Sequence, residues 1–306
     1  MLMAESPFTQ YAGKTTIVGA KKDSQGNAEG TQYDLAEDGG FDGHTILVLH
    51  FVSCAGFNFA KPKAALVEKG FSVTMHTTPP SVNQLRTELS TASQVWIISS
   101  ARQQLSGEHL DVINDFFQQG KGVYIWGDND PYYADANAVA SKLLGCSMSG
   151  DSYGGKVVNE ARSNGQNGFI KHQITTGLEF LYEGITVAQI HYSEEQLIPI
   201  LRGSDGHIVT ACYDSDGKRA ILDGGFTRLQ DAYWNDAGTG RFVKNAAAWL
   251  VNWERFNNSP NVAGNMWSQG RRNKQSTPPM KERPSVKPKD STQKPTLRSQ
   301  GSNWKK

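Results

Sequence analysis

The feature that most constrains the fold of this chain is an alternation of apolar, strand-like segments with helix-like segments between residues 44 and 145. Each strand-like segment is a short apolar run, whereas the helix-like segments space their apolar residues three or four positions apart. Such an alternation favours right-handed crossovers and a parallel sheet covered on both faces. The predicted strands are 44–52, 71–77, 94–100 and 122–127, and the predicted helices are 61–70, the segment capped by Ser81, 106–120 and 134–145.

The second half of the body is richer in strand-like segments. These are GKVVNEA, GITVAQIHY, QLIPILRG, HIVTACYD and KRAILDGG, and the two SDG turns among them suit hairpins. The closing segment 238–256 is amphipathic, with Phe242, Ala246, Leu250 and Trp253 on one stripe, so we expect a single helix that packs on the sheet. The sequence therefore predicts one α/β domain with a mainly parallel sheet and an antiparallel, strand-rich second half.

Composition divides the 306 residues into three zones. Residues 1–43 are polar and glycine-rich and are interpreted as an N-terminal extension, with a hairpin around SQGN. Residues 44–257 form the predicted domain. Residues 258–306 are rich in Pro, Ser, Lys and Gln and hold almost no aliphatic side chains, which predicts disorder.

Charge is distributed unevenly between these zones. The tail 258–306 carries eleven basic and two acidic residues, a net charge of +9, and the remaining 257 residues carry 20 basic and 28 acidic residues, a net charge of −8. A basic tail on an acidic body points to a weakly bound anionic partner or to a tail that folds back. Trp267 and Trp304 could stack on the bases of a nucleic acid, but such tails also serve only as tethers or solubilising segments.

Several classes of protein are disfavoured by the sequence. The three cysteines form no CxxC pair, which argues against a zinc knuckle or a disulfide framework and fits a reducing compartment. The first residues lack the pattern of a signal peptide, and no apolar run approaches the length of a membrane span. The GKT at 13–15 has Phe8 where a P-loop needs glycine. We therefore expect a cytoplasmic protein, without a predicted cofactor.

Cys54 follows the first predicted strand, with His50 nearby. A cysteine at the carboxyl end of a strand can serve as a nucleophile when a base stands close to it. Cysteine is also among the residues most often buried in a core, and we favour that interpretation here.

The richest polar cluster is GDNDPYYADAN at 127–137, directly after a predicted strand. Ligands of open parallel sheets bind beyond the carboxyl ends of the strands, which makes this cluster a candidate ligand-binding site. Its carboxylates could act as a general base or hold a divalent metal, although helix capping explains one or two of them equally well. The candidates are Asp128, Asn129, Asp130, Tyr132 and Asn137.

A second cluster occupies 221–245 and begins with Asp223 at the end of an apolar strand. The Gly224-Gly225 pair would let another backbone segment approach closely. Thr227, Arg228 and Arg241 are further ligand-binding candidates, and Asp236 and Thr239 lie between them. Two arginines beside acids could clamp an anionic group, or they could neutralise Asp128, Asp130 or Asp223 internally.

These patterns resemble the class I glutamine amidotransferase-like superfamily, and most closely its branch with ThuA-like proteins and the N-terminal domain of an intraflagellar-transport subunit. The resemblance covers roughly 44–256 and rests on HTILVLHF, on TASQVWIISSARQQLSGEHLDVINDFFQQGKGVYIWG and on RFVKNAAAWLVN. It implies a flavodoxin-like, three-layer fold. Glutamine amidotransferases of this type place a cysteine after the strand that matches GVYIWG and a His–Glu pair near the end of the domain.

This chain departs from that catalytic pattern. The matching turn reads Gly127-Asp128-Asn129, and the later strand end reads Asp223-Gly224-Gly225. Without the nucleophile and its base, the glutaminase reaction is not supported. The first hypothesis is therefore a non-catalytic module that binds a small polar ligand or a protein partner in a cleft of the two clusters. The alternative is a hydrolase in which Asp128, Asp130 or Asp223 is catalytic and positions a water or a divalent metal.

Overall fold

The computed structural model describes residues 6–53, 57–160, 167–193 and 197–256. The predicted tail and Cys54 lie outside these residues. The strands are β1 (Thr45–His50), β2 (Ser72–His76), β3 (Gln94–Ile98), β4 (Gly122–Trp126), β5 (Ser147–Tyr153), β6 (Val157–Asn159), β7 (Gly168–Phe169), β8 (Phe180–Tyr182), β9 (Thr186–His191), β10 (Ile198–Arg202), β11 (Ile208–Ser215) and β12 (Lys218–Asp223). The helices are α1 (Ala60–Glu68), α2 (Val82–Thr91), α3 (Gly107–Gln118), α4 (Ala134–Leu144), α5 (Thr239–Leu250) and α6 (Trp253–Phe256).

The main sheet has eight strands in the order β2-β1-β3-β4-β12-β11-β10-β7. The first five of these strands are mutually parallel, and β11, β10 and β7 extend the sheet in antiparallel fashion. The parallel part repeats the 2-1-3-4-5 order of flavodoxin-like proteins. The predicted α/β fold, with its mainly parallel sheet and antiparallel second half, is confirmed.

The alternation of side chains along each central strand produces two core layers. Val48 and Trp126 belong to the layer that contains α1 and α5, whereas Leu47 and Ile125 belong to the layer of α2, α3 and α4. All five residues of β3 and of β4 are buried, as expected for strands covered on both faces. The sheet is thus the middle of three layers.

Local sequence signals account for the helix ends. The Ser81 hydroxyl accepts a hydrogen bond from the Gln84 N–H at 3.2 Å, so the predicted cap of α2 is confirmed. Ser106 caps α3 and forms a capping box with His109. Gly70, after α1, has a φ of 96°, a conformation that glycine adopts without a Cβ penalty.

The last helical segment differs from its prediction. Instead of one helix over 238–256, α5 ends at Leu250 and α6 begins at Trp253. Asn252 has a left-handed φ of 56°, and its side-chain amide donates to the carbonyls of Gly120 and Gly217 at 3.1 and 2.8 Å. These bonds fix the break between the two helices.

The N-terminal segment packs against the rest of the described chain. Leu35 and Phe41 are fully buried, and Phe41 stacks on Phe71 with ring centroids 4.8 Å apart. Around SQGN the chain reverses direction, with an antiparallel bridge between Lys22 and Ala28.

Two small antiparallel sheets lie outside the main sheet. β5 pairs with β9, and β6 pairs with β8. Among the described residues, no helix has both the length and the apolar character that crossing a lipid bilayer requires.

Candidate functional site

The two polar clusters meet where β4 and β12 end side by side. The Gly127 N–H donates to the Asp223 carbonyl at 2.8 Å, and the Phe226 N–H donates to the Gly127 carbonyl at 3.0 Å. The glycine pair after β12 allows close contact with β9, because a Cβ on Gly224 would lie 2.3 Å from the Ala188 carbonyl oxygen. The two loops that the sequence singled out therefore adjoin over residues 127–133 and 223–229.

Asp223 and Arg228 form a wholly buried ion pair at this junction. The Arg228 Nη2 lies 3.0 Å from the Asp223 Oδ1, and both side chains are 0% exposed. Asp223 also accepts hydrogen bonds from the Gly225 N–H at 3.0 Å and from the Thr210 hydroxyl at 2.9 Å. Burial raises the pKa of Asp223, while the Arg228 charge opposes that rise. Arg228 therefore neutralises Asp223 inside the protein, which was the alternative to an arginine clamp for an anionic ligand.

The guanidinium of Arg228 is held by further internal contacts. It donates to the carbonyls of Gly225 and Glu183, at 3.2 and 3.1 Å, and lies over the rings of Trp126 and Phe242. The fully buried guanidinium of Arg228 thus stabilises the loop after β12, and a ligand contact of Arg228 stays a prediction.

Asp128 occupies the turn after β4 and is fully buried. Its Oδ1 accepts the Asn129 N–H and its Oδ2 accepts the Thr227 N–H, each at 2.9 Å. Burial raises the pKa of Asp128 to about 8, and the two backbone donors only partly offset this effect. The carboxyl group is thus mainly protonated at neutral pH and joins the two loops.

Beside Asp128 lies a partly exposed edge, which we call the strand-end rim: Asn129, Asp130, Tyr132 and Thr227. Asp130 accepts a hydrogen bond from the Tyr133 hydroxyl at 2.8 Å, and Tyr132 is 39% exposed with its ring edge toward Phe226. The Asn129 Oδ1 accepts the Thr186 hydroxyl at 2.9 Å, which ties the rim to β9. The rim presents a carboxylate, a phenol and a half-buried amide together.

Two other residues of the polar cluster at 127–137 have structural roles. The Asn137 side chain makes reciprocal hydrogen bonds with the Met148 backbone, at 2.9 and 2.6 Å, and so fixes β5 to α4. The Asp135 Oδ1 accepts the N–H groups of Gln104 and Leu105, at 2.8 and 2.9 Å. Asn137 therefore has a structural role between α4 and β5, and its role in ligand binding stays a prediction.

Arg241 lies in a different network. Its Nε contacts the Asp34 Oδ1 at 2.7 Å, and its other nitrogens donate to the carbonyls of Gly177 and Gly30. All these partners lie outside the 127–137 loop, so Arg241 is paired internally, as in the alternative to an anion clamp, although its partner is Asp34. The sequence could not indicate this, because Asp34 is 207 positions away along the chain.

The described cysteines and His172 are further side chains with chemistry of their own, and burial shifts the pKa of Cys146 and of His172. Cys146 and Cys212 are buried, and burial raises the pKa of the Cys146 thiol to about 11. His172 caps a short turn through Ile174 and packs its ring edge on Trp249, and burial lowers its pKa to about 4. Within the described residues, no group of three or more His, Cys, Asp or Glu side chains is placed to hold a metal ion.

Sequence reasoning missed two residues of this region. Thr186 at the start of β9 anchors the rim, and the Ser99 hydroxyl after β3 accepts the Asp135 N–H at 2.9 Å. Ser99 had a readable signal, because it follows a buried strand that neighbours β4 in the predicted sheet. Thr186 had none, because the position of the β5–β9 pair depends on tertiary packing.

Comparison with known proteins supports the fold. The mmIFT52 N-terminal domain aligns with 67% of this chain and 97% of its own length, with a TM-score of 0.52 and 11% sequence identity. A GMP synthase-like protein from Thermoplasma acidophilum aligns with 70% of this chain and 97% of its own, with a TM-score of 0.46 and 10% identity. The likeness to mmIFT52, at this identity, shows a common fold alone. No protein-family model and no curated protein sequence matches this chain.

Proposed function

We propose that this chain is a cytoplasmic, non-catalytic binding module of amidotransferase-like fold. Its site is the strand-end rim, which takes a small polar ligand or a loop of a protein partner. One observation carries the proposal: Asp128 and Asp223 are fully buried in internal bonds, while Asp130 and Tyr132 remain exposed at the carboxyl ends of the strands. Polar side chains on loops beside a rigid sheet are the usual setting for binding.

The residue types also argue against glutaminase chemistry. The turn after β4 supplies an aspartic acid where amidotransferases of this fold carry a thiol, and β12 ends in Asp223-Gly224-Gly225. A protonated carboxyl that accepts two backbone N–H groups is a poor nucleophile and is shielded from substrate. The same position therefore favours scaffolding over covalent catalysis.

A hydrolase is the second candidate, and a single observation favours it. The pKa of Asp128, raised by burial to about 8, lies near the range in which a general acid or base operates. Against it, Asp128 is 0% exposed and the nearby cation, Arg228, is paired with Asp223. An exposed Asp130 could bind a water or a metal only from the rim.

A two-armed experiment on the full chain separates these functions. In the first arm, ammonia release from glutamine and hydrolysis of ester, amide and phosphoester substrates are measured for wild type and Asp128→Asn. We expect no turnover that depends on Asp128, and such turnover would overturn the proposal. In the second arm, a thermal-shift screen with polar metabolites and divalent metals compares wild type with Asp130→Asn and Tyr132→Ala.

We expect a ligand that stabilises the wild type and stabilises both rim variants less. Asp216→Asn is the matched control, because Asp216 lies at the tip of the β11–β12 hairpin, at the opposite end of β12 from the rim. A ligand whose effect is equal in wild type, both rim variants and the control binds elsewhere, which would count against the rim.

A further inference from the structure

The strand β2 forms one outer edge of the main sheet. It pairs with β1 on its inner side, and among the described residues no strand pairs with its outer side. The opposite edge of the sheet is β7, which has two residues, both of them buried. β2 has five residues and is mostly exposed. An open edge of this kind presents N–H and C=O groups that can pair with another chain.

The backbone of β2 directs Val73 and Met75 outward. The Ser72 N–H donates to the His44 carbonyl, next to β1, at 2.9 Å, so the backbone of Ser72 faces β1. Successive residues of a paired strand direct their N–H and C=O groups to opposite sides. Thr74 therefore also faces β1, whereas the N–H and C=O groups of Val73 and Met75 point away from it. The two outward positions lie one on each side of Thr74.

An apolar strip accompanies these outward groups. The Val73 side chain packs against the core layer of α1 and α5, and Met75 lies on the same face because side chains alternate along a strand. Met75 is 38% exposed, and Val67 on α1 is 53% exposed. Ala65 lines a cavity together with Lys244 of α5, so Val67, about 200° further around the helix, is turned away from α5 and toward the β2 side of the sheet.

β2 lacks the features with which proteins protect an open sheet edge. Protected edges carry lysine, proline, an inward-pointing charge or a bulge. The strand SVTMH contains no proline, lysine or acidic residue, and its pairing with β1 has no register shift. His76 contacts Glu88 of α2 at 2.7 Å, so it is paired within the chain. The outer side of β2 is therefore open to another strand.

We propose that β2 pairs in antiparallel fashion with β2 of a second copy of this chain, about a two-fold axis at Thr74, so that the two main sheets become continuous. In this register Val73 lies opposite Met75 of the second copy, and each such pair exchanges two backbone hydrogen bonds. Thr74 lies opposite its own counterpart. Because both outward positions are equally far from Thr74, every outward N–H and C=O group finds a partner.

The side chains match in the same register. Val73 faces Met75, Thr74 faces Thr74, and no like charges lie opposite each other on the strands. On the α1 face, the exposed surfaces of Met75 and Val67 from both copies leave water together. A strand of another protein would have to supply the same spacing of backbone groups and apolar side chains, whereas a second copy supplies both through its symmetry.

The first test measures the oligomeric state of the full chain by sedimentation velocity over a range of concentrations. Met75→Pro removes an outward N–H without removing a hydrogen bond to β1, and Met75→Lys places a charge opposite Val73. Val18→Lys is the matched control, because Val18 is 95% exposed and belongs to no strand. We expect the wild type and Val18→Lys to dimerise alike, and each Met75 variant to dimerise with a Kd at least about tenfold larger.

The second test examines the register by cysteine cross-linking. Across the two-fold axis the Thr74 Cα atoms of the two copies lie about 4.5 Å apart, within disulfide range, whereas the Ser72 Cα atoms lie about 13 Å apart along the strands. We expect Thr74→Cys to form an intermolecular disulfide under mild oxidation. Ser72→Cys, also at an exposed position on the same face, should form no more than the wild type, whose three cysteines give the background.

A wild type that stays monomeric at about 100 μM would overturn the proposal, because a dimer with a Kd near 1 μM is almost complete there. A dimer that both Met75 variants leave intact would also overturn it, since the contact then lies elsewhere. Equal cross-linking of Ser72→Cys and Thr74→Cys would exclude the register. The strand-end rim lies at the ends of β4 and β12, so failure of this dimer leaves the proposed binding function to its own test.

Discussion

Arg228 is a cation enclosed in the protein whose charge is balanced by one carboxylate, that of Asp223 at 3.0 Å. Removal of the cation leaves a buried, uncompensated negative charge, which is more costly than loss of an ordinary contact. We predict that Arg228→Met lowers the free energy of unfolding by about 3–5 kcal/mol. The measurement is equilibrium unfolding in urea at neutral pH.

The control for this prediction is Arg86→Met. Arg86 is 61% exposed and lies 4.0 Å from Asp115, so we expect a change within about 0.5 kcal/mol. Adding Asp223→Asn to Arg228→Met should recover part of the loss, because the amide oxygen still accepts a hydrogen bond without requiring a counter-charge. If Arg228→Met lowers the free energy of unfolding by less than about 1 kcal/mol, Arg228 does not compensate the charge of Asp223 as we propose.

Because burial raises the pKa of Asp128, its contribution to the free energy of unfolding should fall as the pH rises. Its pKa is about 8 in the folded chain and about 3.9 in an unfolded one, so the folded state holds an additional proton between these values. Its contribution is complete below about pH 4 and is lost as the pH rises through 8, by at most about 1.4 kcal/mol per unit. We predict that the stability of wild type relative to Asp128→Asn falls steadily from about pH 5 to pH 7.5.

Urea unfolding of both proteins across this range provides the check, since titrations common to both cancel in the difference. Asp216→Asn, compared in the same way, is the control for the loss of one carboxylate at an exposed position. A pH-independent difference for Asp128→Asn would mean that Asp128 is ionised in the folded protein.

At the scale of single residues, the sequence indicated where the polar side chains lie better than it indicated which groups they contact. That Asp128 and Asp223 would adjoin follows from the carboxyl ends of parallel strands, and this was predictable. Which oxygen is buried, and which arginine reaches it, depends on side-chain packing that no local pattern records. Arg241 illustrates this limit, because its partner Asp34 belongs to a segment that was interpreted as an extension.

Among the elements, the break between α5 and α6 depends on Asn252. Its left-handed φ of 56° costs an alanine about 1–2 kcal/mol, and its amide satisfies the carbonyls of Gly120 and Gly217. We predict that Asn252→Gly, which loses only the two hydrogen bonds, costs about 1–3 kcal/mol. Asn252→Ala should cost about 1–2 kcal/mol more, because it also carries the backbone penalty.

Each of these two variants is the control for the other, because both lose the same side-chain amide and they differ only in the backbone penalty. Thermal and urea unfolding measure it. Equal losses for glycine and alanine would indicate that the backbone at 252 relaxes into a continuous helix, in which case the break would not be fixed by this residue.

The reliability of the sequence pattern differed between elements for a physical reason. Strands β1, β3 and β4 are buried on both faces and read as apolar runs, so their prediction was straightforward. β5 has the sequence SMSGDSY and β7 has two residues, so neither carries a recognisable apolar pattern. Both are strands because neighbouring segments supply hydrogen-bond partners.

At the scale of the whole molecule, the described N-terminal segment, residues 6–43, either unfolds together with the sheet or forms a separate cooperative unit. Its polar, glycine-rich composition predicted an extension, yet Leu35 and Phe41 are fully buried with residues of β1, α1 and α5. Asp34 also neutralises Lys69, which is 1% exposed, near the end of α1. A few well-placed residues can thus join a segment to a core that its average composition would not suggest.

The test of that integration is a pair of substitutions within the same segment. Phe41→Ala removes a fully buried ring that stacks on Phe71 at 4.8 Å and leaves a cavity beside that ring, so we predict a loss of about 3–5 kcal/mol. Val18→Ala, at a side chain 95% exposed, should change stability by no more than about 0.5 kcal/mol. If Phe41→Ala is instead as neutral as Val18→Ala, or yields a separate early transition with the main one unchanged, residues 6–43 fold independently of the sheet. A single transition at lower urea would mean that the segment and the sheet unfold together, because the lost packing energy then weakens both.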